Sequence, residues 1–130
     1  MSLPSERPPA RQAGPELLVL TRCEEFTEWL LGRTARWPKH ARFTMTQRIE
    51  DHALDIVELL VVARYQRAGR RMRLDEVNLR LERMRHLLRL ARASQVCPAP
   101  SFEGAMRALE EIGRMLHGWR QTCGANPVEN

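Results

Sequence analysis

Apolar residues recur along this chain at alternating steps of three and four, the spacing that places side chains on one face of an α-helix. Four segments carry such a stripe, from Val19 to Leu30, from Ile49 to Ala63, from Leu74 to Ala91 and from Phe102 to Trp119. No segment shows the strict two-residue alternation of a half-buried strand. The pattern therefore predicts four amphipathic helices and an all-α fold.

Proline and polar residues indicate where the first two helices begin and end. The first helix is expected over about residues 16–36, since the residue before Pro38 is pushed out of the α region. Thr44 and Gln47 match the Thr-x-x-Gln pattern of a capping box, in which each side chain bonds a backbone N–H of the first turn. We expect the second helix to begin there, after a short basic connector.

Glycine, proline and serine also mark the helix boundaries in the second half of the chain. Gly69 lies past the end of the second helix, and residues 97–100, which include two prolines, separate the third helix from the fourth. Ser101 is expected to cap the fourth helix. Each helix has about 20 residues, a length of about 30 Å. Short connectors make such helices antiparallel neighbours, so we predict an up-down-up-down four-helix bundle.

The bundle accounts for residues 16–122, leaving a segment at each end of the chain. Residues 1–15 contain four prolines and little that can be buried, so we expect a flexible Pro-rich tail. Residues 123–130 are expected to be a disordered C-terminal tail. The chain is 43% hydrophobic and 28% charged, a composition typical of one folded domain.

The cysteines and the hydropathy pattern bear on cellular location. The three cysteines are an odd number with no Cys-x-x-Cys pair, which is typical of reduced thiols in a cytosolic protein. No apolar run reaches the ~20 residues of a membrane span, and no apolar segment near the N-terminus resembles a signal peptide. We therefore expect a cytoplasmic protein that does not enter a membrane.

Positive charge is concentrated in one segment. The net charge is +5, and Lys39 is the only lysine. Arginine is suited to binding phosphate and carboxylate, although GC-rich codons would produce the same excess of arginine over lysine. Residues 66–95 hold nine arginines against three acidic residues, a net +6, whereas residues 44–65 carry a net −2. The third helix is thus basic and the second acidic.

Eight arginines of the basic segment are candidate phosphate contacts. Arg85, Arg89 and Arg92 share one outward face of the third helix, and three others lie on a neighbouring strip. Like charges one turn apart repel, and an anionic partner would offset that repulsion. An ordinary solvated face remains the alternative for any single arginine. The candidates are Arg70, Arg71, Arg73, Arg80, Arg83, Arg85, Arg89 and Arg92.

The same segment contains no aromatic residue after Tyr65. Proteins that recognise unpaired bases usually stack them on aromatic side chains. We therefore expect contacts to backbone phosphates, with little sequence specificity, rather than base stacking.

Patterns typical of catalysis or metal binding are missing from the sequence. The four histidines lie in different segments, and no Glu-x-x-His pair, Gly-rich phosphate loop or Gly-x-Ser-x-Gly motif occurs. His52 and Asp55 are one turn apart beside Glu58, but this arrangement alone is a weak metal signal. We expect no enzyme activity, no metal and no cofactor; a small bundle enzyme or metal carrier remains the alternative.

Two glycines inside the fourth helix, Gly113 and Gly118, each cost about 1 kcal/mol relative to alanine. We interpret them as places where a neighbouring backbone lies close, either within the bundle or in another subunit. Leu87 and Leu90, beside the main stripe of the third helix, are either additional core or subunit contacts.

Residues 26–65, 74–91 and 111–121 resemble the accessory variability determinant family of diversity-generating retroelements, within a superfamily of four-helix bundles. Three features are the most recognisable. They are the Trp-Pro pair at 37–38 leading to Phe-Thr at 43–44, the Leu/Arg alternation of the third helix, and the final Gly-Arg-Met-Leu-x-Gly-Trp.

This resemblance implies a homopentameric barrel of four-helix bundles that binds the retroelement's reverse transcriptase and nucleic acid, RNA or DNA. Such a protein supports mutagenic retrohoming, the error-prone copying of template RNA into cDNA that diversifies a target gene. The eight arginines would then be contacts to phosphate or to the polymerase. A sister branch, encoded in intervening sequences of 23S ribosomal RNA genes, implies an alternative: an RNA-associated or structural bundle without a polymerase partner.

Overall fold

The computed structural model describes residues 14–124 and contains the four predicted helices. No strand occurs in that part of the chain, and most of the two predicted tails lies outside it. Pro15, assigned above to the tail, is instead the first residue of a helix, a position that suits its fixed φ and missing N–H. The helices are α1 (Pro15–Thr34), α2 (Gln47–Tyr65), α3 (Arg70–Ala93) and α4 (Ala99–Thr122).

Each helix packs mainly against two others, in the order α1, α2, α3, α4 and back to α1. The connectors are short, so consecutive helices are antiparallel, as the up-down-up-down prediction requires. The pair α2/α3 and the pair α1/α4 therefore form opposite sides of the bundle.

The predicted three-four stripes meet at the centre. Leu30, Ile56, Met84 and Ile112, one from each helix, are all at most 1% exposed. Burying a side chain of this size contributes roughly 1.5–3 kcal/mol, so the four aligned stripes are the main source of stability. Leu87 packs against this core, as the interpretation of this residue as additional core predicts.

The predicted capping box at Thr44 is wrong. The Thr44 hydroxyl donates to the carbonyl of Ala41, and no side chain caps α2. The chain is already helical before this point, with a 3₁₀ turn at Lys39–Ala41 and a π-helical turn at Arg42–Thr46. Because helical backbone precedes Thr44, this residue does not lie at a free helix start, where a cap would be needed.

Ser101 does not cap α4 either. This helix begins two residues earlier, at Ala99, after Pro98, and no side chain caps it. Pro100 occupies its first turn, where a missing N–H costs no hydrogen bond. Ser101 is consequently buried within the first turn.

Candidate nucleic-acid interface

Two of the candidate arginines extend from opposite edges of α3. Arg80 lies on the α2 side, where its Nη1 donates to Asp55 Oδ2 at 3.4 Å. Its Nε also donates to Glu76 at 2.9 Å. Arg85 lies on the α4 side, donating to the Leu109 carbonyl at 3.3 Å. The two predicted strips of positive charge therefore face different neighbouring helices.

The side chain of Arg70 is hydrogen-bonded to the C-terminal end of α2 instead of extending into the solvent. Its guanidinium donates to the carbonyls of Ala63 and Arg64, two of the acceptors that a helix C-terminus leaves without partners. The same group lies 5.8 Å from the ring centroid of Trp119, within cation–π range. Arg70 thus joins three helices at one end of the bundle.

Arg73 and Arg71 are also occupied within the chain. Arg73 donates to the Ala68 carbonyl at 2.6 Å and to the Gln66 side chain at 2.9 Å, which stabilises the turn between α2 and α3. Arg71 is half-buried and donates to the Gly124 carbonyl at 3.4 Å. These two guanidinium groups would have to exchange existing hydrogen bonds before binding a phosphate.

The remaining three candidates are Arg83, Arg89 and Arg92. All three are exposed, and within residues 14–124 none forms an ion pair or a side-chain hydrogen bond. Arg89 and Arg92 lie about one and two turns beyond Arg85 on the α4 side, while Arg83 lies nearer α2. Of the eight predicted residues, these three are the ones available to an external anion.

A groove of about 490 Å³ separates Arg83 from the turn that precedes α2. It is also lined by Arg48 and by Phe43, which is 85% exposed. Asp51 lines it too, and Asp55 is already paired with Arg80. An exposed aromatic ring beside unpaired arginines provides a surface on which an unpaired base can stack.

The expectation of phosphate contacts without base stacking stays a prediction; it rests on residues 66–95, and Phe43 lies outside that segment. Phe43 is 40 residues from Arg83 in the chain, and only the packing of α2 on α3 brings the two together. No local sequence signal links them, because an exposed aromatic residue in a connector does not indicate which helix it will face.

Exposed apolar side chains are concentrated on one side of the bundle. Seven of the eight large hydrophobic residues that are exposed within residues 14–124 belong to α2, α3 or the turn before α2; Leu18 is the other. Exposed apolar patches of this kind often mark protein contacts. This α2/α3 apolar face consists of Phe43, Leu54, Val61, Tyr65, Met72, Leu79 and Leu90.

Neither glycine of α4 lies against a neighbouring backbone. A Cβ at Gly113 would lie 3.2 Å from the Arg85 guanidinium, and a Cβ at Gly118 would meet nothing within 4 Å. The expected backbone contact within the bundle is thus wrong at both positions. A contact with another subunit stays a prediction for both glycines.

The cysteines are free thiols, and two are poorly suited to act as nucleophiles. Burial raises the pKa of Cys23 to about 12 and the pKa of Cys97 to about 11, the latter opposed in part by the nearby charge of Arg92. Residues 14–124 contain no cluster of three or more His, Cys, Asp or Glu side chains that could hold a metal. No helix in that range has the length and apolar character of a membrane span.

A model of the bAvd-like family matches residues 17–123, which include nearly all of the four helices. The chain belongs to the bAvd-like family. All eight candidate arginines fall inside the matched range. Membership of the bAvd-like family indicates an accessory protein of the Avd type, as the resemblance in the sequence implies. No curated protein and no solved structure matches the chain.

Proposed function

We propose that this chain is the accessory protein of a diversity-generating retroelement. It binds the reverse transcriptase and nucleic acid, template RNA or cDNA, and thereby supports mutagenic retrohoming without catalysing a step itself. The observation that carries this proposal is the set of three exposed arginines on α3, Arg83, Arg89 and Arg92, in a bAvd-like chain. Their guanidinium groups are free to bind phosphates or acidic side chains of the polymerase.

Electrostatics make this binding dependent on salt. Each phosphate contact releases condensed counterions, so three arginines on a single strand give a slope of about −2 in a plot of log affinity against log salt. A ring of such subunits would multiply the number of contacts and raise the affinity through multivalency.

Self-association into a homopentamer is part of the proposal. The α2/α3 apolar face supports it, because a patch of exposed apolar side chains gains free energy when a partner covers it. A head-to-tail contact between copies generates a closed ring when its rotation closes and an open filament when it does not.

The test of nucleic-acid binding replaces Arg83, Arg89 and Arg92 together with Glu. Arg85 is left unchanged because it donates hydrogen bonds to the Leu109 carbonyl of α4 and to the Glu82 carboxylate. Its replacement would disturb the packing of α3 on α4. We expect the affinity for a 20-nucleotide single-stranded RNA, measured by fluorescence anisotropy, to fall at least tenfold. Circular dichroism should show unchanged helicity.

A matched control changes the net charge equally elsewhere. Arg36, Lys39 and Arg67 are exposed and lie outside α3, and replacing all three with Glu removes the same positive charge. The control should retain most of the affinity. Equal losses in the two variants would mean that net charge alone drives binding, and would overturn the assignment to α3.

The polymerase partner is tested separately with the reverse transcriptase encoded beside this gene. We expect co-purification of the two proteins after nuclease treatment, with a reverse-transcriptase gene and a template repeat adjacent in the genome. If the genome neighbourhood is instead a 23S ribosomal RNA gene, the intervening-sequence alternative replaces the retroelement proposal.

A further inference from the structure

A second groove lies between α1 and α4, on the side of the bundle opposite to the α2/α3 apolar face. It has a volume of about 600 Å³, within the range of small-molecule sites. Its walls include Trp29 and Arg33 from α1 and Pro100, Gly104 and Arg107 from α4. None of these residues belongs to the basic segment, residues 66–95.

The floor of this groove is an aromatic ring with a cation over it. Trp29 stacks against Phe26 with 6.1 Å between ring centroids. The guanidinium carbon of Arg33 lies 5.0 Å from the centroid of the Trp29 ring. A Cβ at position 104 would lie 3.1 Å from two carbons of the Trp29 ring, so the absence of a side chain at Gly104 makes room for the indole beside α4.

The groove carries an excess of positive charge. Arg22 and Glu111 at one end form an ion pair at 2.8 Å and balance each other. Arg33 and Arg107 have no carboxylate partner among residues 14–124. At the other end, the first turn of α4 contains no acidic residue and no side-chain cap, so the positive end of the helix dipole adds to the potential.

These features together define the chemistry of a ligand. Indole rings and guanidinium groups both stack on nucleobases. An unpaired guanidinium on the neighbouring helix, that of Arg107, is suited to bind phosphate with two N–H groups directed at two oxygens. The α1/α4 groove, lined by Trp29, Arg33 and Arg107, contains both a stacking surface for a base and a guanidinium for a phosphate.

We propose that the α1/α4 groove binds one nucleotide unit, with the base against the Trp29–Arg33 pair and the phosphate at Arg107. The nucleotide is either free in solution or part of a single strand, since base and phosphate are the same in both. This site is separate from the α3 arginines and stands even if they do not bind nucleic acid.

Trp29 provides a local signal for the test. Trp37 and Trp119 are only 7% and 2% exposed, whereas Trp29 is half-buried and lines the groove. Tryptophan fluorescence of the full chain is titrated with AMP and, separately, with a five-nucleotide single-stranded RNA. We expect saturable quenching, which Trp29→Phe abolishes while circular dichroism stays unchanged.

Arg107→Gln tests the phosphate contact, with Arg114→Gln as its matched control. Arg114 is an exposed arginine of the same helix that pairs with Glu110 and does not line the groove. We expect Arg107→Gln to weaken binding at least tenfold and Arg114→Gln to leave it within twofold. Equal effects of the two substitutions would overturn the proposal.

Two further comparisons identify the source of the nucleotide and test whether binding in the α1/α4 groove is independent of the α3 arginines. Saturation by AMP identifies a free nucleotide, and saturation by the oligonucleotide alone identifies a strand; saturation by neither overturns the proposal. The variant with Arg83, Arg89 and Arg92 changed to Glu should retain the quenching. Loss of quenching in that variant would contradict an independent α1/α4 site.

Discussion

Gln95 adopts a left-handed backbone conformation, with φ at 65°. It lies two residues past the end of α3, where its N–H donates to the Arg92 carbonyl at 3.1 Å and the N–H of Val96 donates to the Ala91 carbonyl at 2.8 Å. This pair of bonds is a Schellman motif, which most often has glycine at the left-handed position. An L-residue there carries a strain of roughly 1 kcal/mol.

Gln95→Gly is therefore expected to raise the free energy of unfolding by up to about 0.5 kcal/mol, because the relief of strain is offset in part by the greater backbone entropy of glycine in the unfolded chain. Urea denaturation followed by circular dichroism measures the change. Ala93→Gly, two residues earlier and still within the helix, is the control and should lower stability. A loss of stability in Gln95→Gly would show that the Gln95 side chain outweighs the strain.

The arginines of α3 are alike in sequence and unlike in their surroundings. Arg70 donates to two main-chain carbonyls at the end of α2, whereas Arg92 lies exposed on the surface. A guanidinium that already satisfies buried carbonyls is costly to withdraw, because those carbonyls would lose their partners. Substituting Arg70 would therefore test the stability of the bundle more than its binding of nucleic acid.

At the scale of the helix, α4 contains a glycine with no packing partner. A Cβ at Gly118 would have nothing within 4 Å, although the residue lies inside a 24-residue helix. Alanine is favoured over glycine in a helix interior by about 1 kcal/mol, chiefly through the entropy of the unfolded chain. The chain thus retains a residue that weakens one of its longest helices.

We expect Gly118→Ala to raise the midpoint of thermal unfolding, with a gain of about 1 kcal/mol. Gly113→Ala is the comparison and should gain less, since its new methyl group must displace the end of the Arg85 side chain. Light scattering on the same samples tests the subunit prediction. If a neighbouring subunit lies against this glycine, as predicted, Gly118→Ala reduces the mass of the assembly; an unchanged mass would contradict that contact.

At the scale of the whole molecule, apolar and charged surfaces are unevenly distributed. The α2/α3 apolar face holds nearly all of the exposed large hydrophobic residues within residues 14–124. The opposite side has the α1/α4 groove, with Trp29 and unpaired arginines. An assembly that covers the first side would leave the second accessible to solvent.

Five copies of the 15.1 kDa chain weigh about 75 kDa, which is the mass we expect from light scattering of a nuclease-treated sample in high salt. Leu79→Asp combined with Leu90→Asp should reduce the mass to that of a monomer and preserve helicity, because both side chains are more than half exposed. Leu18→Asp, outside the α2/α3 apolar face, is the control and should leave the mass unchanged. A monomeric wild-type chain would contradict the pentamer.

The sequence by itself determined the four helices and the side of each that is buried. Residues such as Leu30 and Ile112 are at most 1% exposed, as the three-four spacing predicts. Burial of one apolar face is the dominant stabilising term and leaves a periodic signal along the chain. The helix starts were less well predicted, because Thr44 and Ser101 match cap patterns within segments where other turns had already begun the helix.

Only the tertiary structure decided which of the charged and aromatic residues are available to a ligand. Arg83 faces Phe43 across 40 residues of sequence, and Trp29 lies beside Gly104 across 75. Sequence spacing places a side chain on a face of its own helix but does not show which carbonyls, carboxylates or rings the neighbouring helix brings near it. The positions of these partners depend on how the four helices pack, and those partners determine whether an arginine is free to bind a phosphate.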